Sequence, residues 1–260
     1  MEEPKPLKEF FVDKLLVSVY PNRDALGRAA GEAVAARLRE LLARQQQVSV
    51  VFAAAPSQNE FLAYLSTASG VDWSRVVAMH MDEYLGLAAD APPRFGRYLD
   101  EHLFSLVKPG KVYYINGNTI SPTDECERYT AIIQRNPVDI VCLGIGENGH
   151  IAFNDPPLAD FFDPLLVKVV TLDERSRWQQ VHDGCFASID QVPKQAITLT
   201  IPAIFAGRFL YCIVPGSTKR EAVKRTLTGE IAPDCPATIL RRHEQAKLFL
   251  DVDSSPFATD

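Results

Sequence analysis

The stretch GIGENGHIAFNDP, residues 144 to 156, sets His150 and Asp155 behind glycines at 144, 146 and 149. A histidine moves protons near neutral pH, so His150 is a candidate acid–base group. Asp155, five positions on, could hold the ring and tune its basicity. The glycines allow a sharp turn and a close approach of backbone to ligand, with Gly146 and Gly149 nearest the histidine. The plainer alternative is a histidine capping a loop and an aspartate opening an Asn-Asp-Pro turn. The spacing G-I-G-E-N-G also resembles a dinucleotide fingerprint. That motif must open a helix, and Pro156-Pro157 forbids a regular one, so the nucleotide reading is rejected.

Two further clusters carry usable chemistry. In MDEY, Asp82 and Glu83 are adjacent. On a continuing strand they point to opposite faces, so at most one looks into a given cleft. A carboxylate there is a candidate general base, or else a solvated strand end. His80, two residues earlier, reads as a satisfied core histidine. In APSQNE, Ser57 and Glu60 have capping-box spacing. Ser57 and Gln58 would then stand at a helix start whose free N–H groups suit a phosphate. Lys219, in PGSTK, could reach the same anion or be an ordinary exposed lysine.

These residues need a frame. Strands are expected at 48–55, 75–84, 111–116, 138–143, 166–173, 208–216 and 246–252. Helices are expected at 24–44, 60–67, 94–107, 123–136, 217–229 and 236–243, the fourth with a capping pattern at Thr123. Apolar strands alternating with helices predict a single α/β domain, a mostly parallel Rossmann-like sheet flanked on both faces. Such sheets bind ligands beyond the carboxyl ends of their strands, which is where all three clusters fall.

Composition narrows the partners. The 260 residues are 47% hydrophobic and 23% charged, with net charge −6. That charge argues against nucleic acid and anionic membrane. No signal peptide or membrane-length apolar run is legible. The five cysteines are odd in number and lack metal-type spacing, which suggests a reducing cytoplasm and no metal site. The tail from Ser254 reads as frayed.

The segments MDEYLGL (81–87) and LGIGENGHIAFNDP (143–156) resemble the glucosamine-6-phosphate deaminase family, which is related to galactosamine-6-phosphate isomerases and 6-phosphogluconolactonases. QVPKQAITLTI, VPGSTKREAV and CPATIL follow in matching order, so the likeness runs over about residues 20–252. GHIAFNDP is similar to the amino-sugar branch; the lactonase branch has a GHTASLFP-like segment. The resemblance implies conversion of an amino-sugar 6-phosphate to a ketose 6-phosphate and ammonia, with neither cofactor nor metal. Glucosamine 6-phosphate is the default substrate. It further implies that His150 opens the sugar ring and that Asp82 moves a proton from C2 to C1. Asp155 and Asn148 would support the histidine. Substrate contacts are expected from Ser57, Gln58, Glu83, Gly146, Gly149, His182 and Lys219.

The chain departs from that pattern in four places. Asp155 stands where glutamate is expected, and Asn148 where aspartate is usual. AAAPSQNE replaces a glycine-rich TGGTP-like loop, and His182 lies nearest an expected phosphate-binding arginine. The alternatives are therefore galactosamine 6-phosphate or another sugar phosphate, or a non-catalytic sugar-phosphate sensor. Family members range from monomers to larger homo-oligomers, and no segment decides between them.

Overall fold

The structure, a computed structural model, describes residues 4–156 and 158–257. An antiparallel hairpin, β1 (Lys8–Val12) and β2 (Leu15–Tyr20), opens the chain. Helix α1 (Arg23–Leu42) follows, its first turn capped by Asn22, whose side-chain oxygen accepts from Ala25 N at 2.9 Å. Next come β3 (Val48–Phe52), α2 (Asn59–Thr67), β4 (Val76–His80) and β5 (Asp82–Tyr84). Helix α3 (Phe95–Leu99) runs through a π-turn into α4 (Ser105–Val107), then β6 (Lys111–Tyr113), α5 (Pro122–Arg135) and β7 (Ile140–Leu143). The rest is β8 (Val167–Thr171), α6 (Glu174–His182), β9 (Gln195–Leu199), α7 (Ile201–Phe205), β10 (Phe209–Val214), α8 (Arg220–Thr228) and β11 (Ala246–Asp251).

Eight strands form one sheet in the order β1-β2-β11-β10-β7-β3-β4-β6, parallel except for the β1–β2 pair. The predicted α/β class is therefore observed. Every residue of β3, β4 and β7 is buried, as expected of strands covered on both faces. Successive residues of β7 feed different layers. Val141 and Leu143 pack with Tyr129 of α5 and Val223 of α8, while Ile140 and Cys142 pack with Leu38 of α1 and Leu62 of α2. Each such aliphatic side chain contributes about 1.5–3 kcal/mol on burial, so the two layers hold the sheet from both sides.

A second, antiparallel sheet stands beside the first, in the order β5-β9-β8. It corrects two expectations. The strand expected at 75–84 breaks at Met81, whose N–H still donates to Phe52 O in the large sheet while its carbonyl accepts from Leu199 N in the small one. The strand expected at 166–173 pairs only in the small sheet. Other differences are local. The segment at 236–242 is a 3₁₀ helix, and residues 217–219 form a 3₁₀ turn before α8. Helix α5 is capped by Ser121, not Thr123, with Pro122 in its first turn. Ser254 and Ser255 are buried and bound to the end of β11, so the tail is not frayed there; residues 258–260 lie outside the described set. The β1–β2 hairpin, α6, β9 and α7 were not anticipated.

Candidate active site

Beyond the carboxyl ends of β3, β4, β7 and β10 lies a cavity of about 70 Å³. Its polar lining is Ser57, Asp82, His150, Gln179, Gln180 and Lys219, and Met81, Phe95 and Phe153 supply apolar walls. A neighbouring apolar cavity of about 190 Å³ shares Ala54, Ala55 and Phe95 with it.

The sheet-to-sheet step at Met81 separates the two adjacent carboxylates. Asp82 turns into the cavity, 7% exposed, and among the described residues no donor holds its carboxylate. Burial, with the Glu83 charge adding to it, pushes its pKa well up. Glu83 points the other way. Its oxygens accept from Tyr84 N, Phe95 N and Gly96 N at 3.0, 3.1 and 3.0 Å, so it caps the start of α3. It does not line the cavity, and the expectation of a substrate contact is not met by its placement. His80 is a buried core histidine as read. Ile115 N donates to Nε2 at 2.9 Å, which leaves the proton on Nδ1 to meet the Asp82 carbonyl at 2.8 Å. Burial lowers its pKa to about 4, so the ring is neutral.

His150 and Asp155 meet as anticipated, with Nδ1 and Oδ1 2.9 Å apart. The aspartate thus spans the gap despite lacking glutamate's extra methylene. Nδ1 being engaged, Nε2 is the nitrogen free for a ligand. Ser176, on α6, donates to the same Asp155 oxygen and stands 2.9 Å from Nδ1. Asn148 Nδ2 also donates to Asp155 Oδ1, at 3.0 Å, while its own oxygen accepts the His150 backbone N–H at 3.0 Å. Asn148 therefore acts on the carboxylate and the backbone, not on the imidazole. Burial alone would raise the Asp155 pKa, but the bonds from His150, Asn148 and Ser176 outweigh it and hold it at about 2.

Gly144 and Gly146 line the cavity, and Gly146 and Gly149 also leave room for packed neighbours. A Cβ on Gly146 would stand 2.1 Å from the His150 ring, and one on Gly149, at φ +91°, 2.6 Å from Cys235 Sγ. Past the histidine, Ala152 takes a left-handed φ of +50° in the turn that brings Phe153 to the cavity wall.

Lys219 lies at the end of a 3₁₀ turn after β10. Its side chain is buried, and among the described residues no hydrogen bond or ion pair holds the ammonium. Burial lowers its pKa, against the pull of Asp183 and Glu147. Ser57 faces the same cavity but forms no capping box. Its Oγ accepts from Gln58 Nε2 at 3.1 Å, and Glu60 pairs with Arg23 instead. Gln58 is buried behind the wall, donating to Ile213 O at 3.2 Å. His182 is mostly exposed at the end of α6, stacked on exposed Trp178 and 3.8 Å from Glu147, and does not reach the cavity. Gln179 and Gln180 take that wall. Gln179 Oε1 accepts Glu147 N at 2.9 Å, while the Gln180 amide has no protein partner among the described residues. The sequence reading missed Ser176, Gln179 and Gln180. The polar pattern of RSRWQQVHD was their only signal. Among the described residues no group of three or more acidic, histidine or cysteine side chains is arranged for a metal.

A buried carboxylate and an aspartate-held imidazole, facing one cavity at the strand ends of a parallel sheet, define an α/β acid–base enzyme site. Comparison with known proteins gives the family. Residues 21–249 match the model described as glucosamine-6-phosphate isomerases/6-phosphogluconolactonase, and the chain belongs to that family. A glucosamine-6-phosphate deaminase of Exiguobacterium sibiricum is 36% identical over 190 residues, 73% of each chain. One of Listeria innocua is 32% identical over 228 residues, 88% of this chain and 95% of that one. The solved structure of a monomeric glucosamine-6-phosphate deaminase superposes with TM-score 0.84 at 29% identity, covering 92% of this chain and 98% of the other.

Proposed function

We propose that this protein converts an amino-sugar 6-phosphate, glucosamine 6-phosphate by default, to the ketose 6-phosphate and ammonia. The observation that carries the reading is Asp82, a buried carboxylate with no protein donor among the described residues, sharing a cavity with His150. His150 Nε2 passes a proton to the ring oxygen and takes one from the anomeric hydroxyl, so the pyranose opens to the aldehyde. Asp82 removes the C2 proton and returns it at C1, while the C1 oxygen gains the proton that the C2 ammonium gives up, which leaves a protonated imine at C2. Water hydrolyses that imine to the ketone and ammonia. Burial makes Asp82 a stronger base. The ammonium on C2 of the incoming sugar opposes the burial effect and favours the ionised carboxylate at the moment it is needed. Asp155, Ser176 and Asn148 hold the imidazole, and Lys219 holds the anionic end.

The test is ammonia release from glucosamine 6-phosphate by the native chain, by Asp82→Asn and by His150→Ala. Asp82→Asn is expected to lower kcat by about 10²–10⁴-fold, the range of general base catalysis, with KM little changed. Equal turnover by native chain and variant would remove Asp82 from the mechanism. Galactosamine 6-phosphate, run beside it, decides the epimer. Ligand binding without turnover in the native chain would favour a sensor.

A further inference from the structure

Resting on that reading, we propose that the anchor for the sugar's far end takes a singly charged tetrahedral group, a phosphate monoanion or a sulfate ester, in preference to the phosphate dianion. Lys219 is the one positively charged side chain among those lining the cavity. The other polar groups at that wall, Ser57, Gln179 and Gln180, are neutral. Two carboxylates stand behind them. Gln179 donates to the Asp183 carboxylate, at Oδ2, over 3.4 Å, and accepts the backbone N–H of Glu147 at 2.9 Å.

One ammonium therefore faces the ligand with two carboxylates acting on it. Exposed His182 lies 3.8 Å from Glu147, and Asp82 and His150 are the other titratable side chains lining the cavity among the described residues. No arginine lines the cavity among the described residues: Arg177 bonds the Ile189 and Val192 carbonyls, Arg225 those of Asn148 and Asp234, and Arg23 the Pro56 carbonyl and Glu60, while Arg175 of α6 is exposed. The first negative charge of a ligand meets Lys219. A second finds no other lysine or arginine on the lining among the described residues, and it repels Glu147 and Asp183. Neutral amide and hydroxyl donors serve a sulfate as well as a phosphate.

The experiment measures kcat/KM by ammonia release for glucosamine 6-phosphate, glucosamine 6-sulfate and glucosamine. A phosphate ester loses its second proton near pH 6, whereas a sulfate ester keeps one charge throughout. Taking the sulfate-to-phosphate ratio at each pH cancels pH effects of the protein that both substrates share. The ratio is expected to rise about tenfold or more between about pH 6 and 8, as the monoanion vanishes. In Glu147→Gln/Asp183→Asn the rise is expected to flatten. A flat or falling ratio in the native chain, an inert sulfate beside an active phosphate, or an undiminished rise in the double variant overturns the proposal. So does neutral glucosamine turned over as well as the sulfate. If none of the three releases ammonia, the deaminase reading falls, and the anchor proposal with it.

Discussion

At the residue scale, the two carboxylates of the site have opposite surroundings and opposite consequences for stability. Asp82 has no protein donor among the described residues and its pKa is raised, so the folded state keeps the proton that the unfolded chain loses at about pH 4. Stability is therefore lost as pH rises from about 4 toward the raised folded value. Asp82→Asn removes that loss. Its Tm is expected to exceed that of the native chain at pH 7, with the gap closing below about pH 4; a variant less stable at pH 7 would contradict the burial argument. Asp155 has the reverse sign. Its pKa is depressed to about 2, so its contribution is present above about pH 4 and fades as pH falls toward about 2. Asp155→Asn is expected to cost on the order of 2 kcal/mol at neutral pH, read by urea denaturation, and little at about pH 2.

At the scale of elements, Glu83 shows how one side chain can tie the small sheet to the cavity wall. It satisfies three N–H groups at and near the start of α3, which carries Phe95 into the site. Glu83→Ala leaves those donors without a partner and is expected to cost about 2–4 kcal/mol, with faster amide exchange confined first to α3. A loss below about 0.5 kcal/mol would remove the cap from the account. Elements also explain what was legible beforehand. Strands β3, β4 and β7 are apolar but for Ser49 and His80, so their burial could be read directly. The break at Met81 could not, because MHMDEY has no proline or glycine and the switch depends on β9 pairing beside it. Helix α6 is polar, with few apolar positions to mark a period, so the helix went unread and so did Ser176 and the two glutamines. The carboxylate–histidine core of the site was visible because its chemistry was written in residue types. A second role of the glycines was not legible, because only the fold shows that Gly146, on the cavity lining, also makes room for the His150 ring.

At the scale of the molecule, we propose that residues 4–257 behave as one cooperative unit. The two apolar layers share the same strands, so truncation in either should shift a common transition. Leu143→Ala and Phe52→Ala, on opposite layers, are each expected to cost about 2–5 kcal/mol. Near-UV circular dichroism and calorimetry should report one midpoint for each variant; two separated transitions in either would divide the chain into independent parts. The same two-sided burial gives the site its precision. Asp82 is held by the small sheet and His150 by the loop after β7 of the large one, and Met81 bonds to both sheets. No helix among the described residues is long and apolar enough to cross a membrane.

The chain has two tryptophans, and the fold has placed them very differently. Trp73 is buried in the layer under α1 and α2, while Trp178 is 42% exposed on α6, next to Gln179 and Gln180. Their fluorescence is thereby sorted in advance. The shielded indole emits to the blue and resists an aqueous quencher, and the exposed one emits to the red and is quenched. Any ligand that engages the glutamines acts on the helix that carries the red emitter, so occupancy of the site can be followed by light from the unlabelled protein.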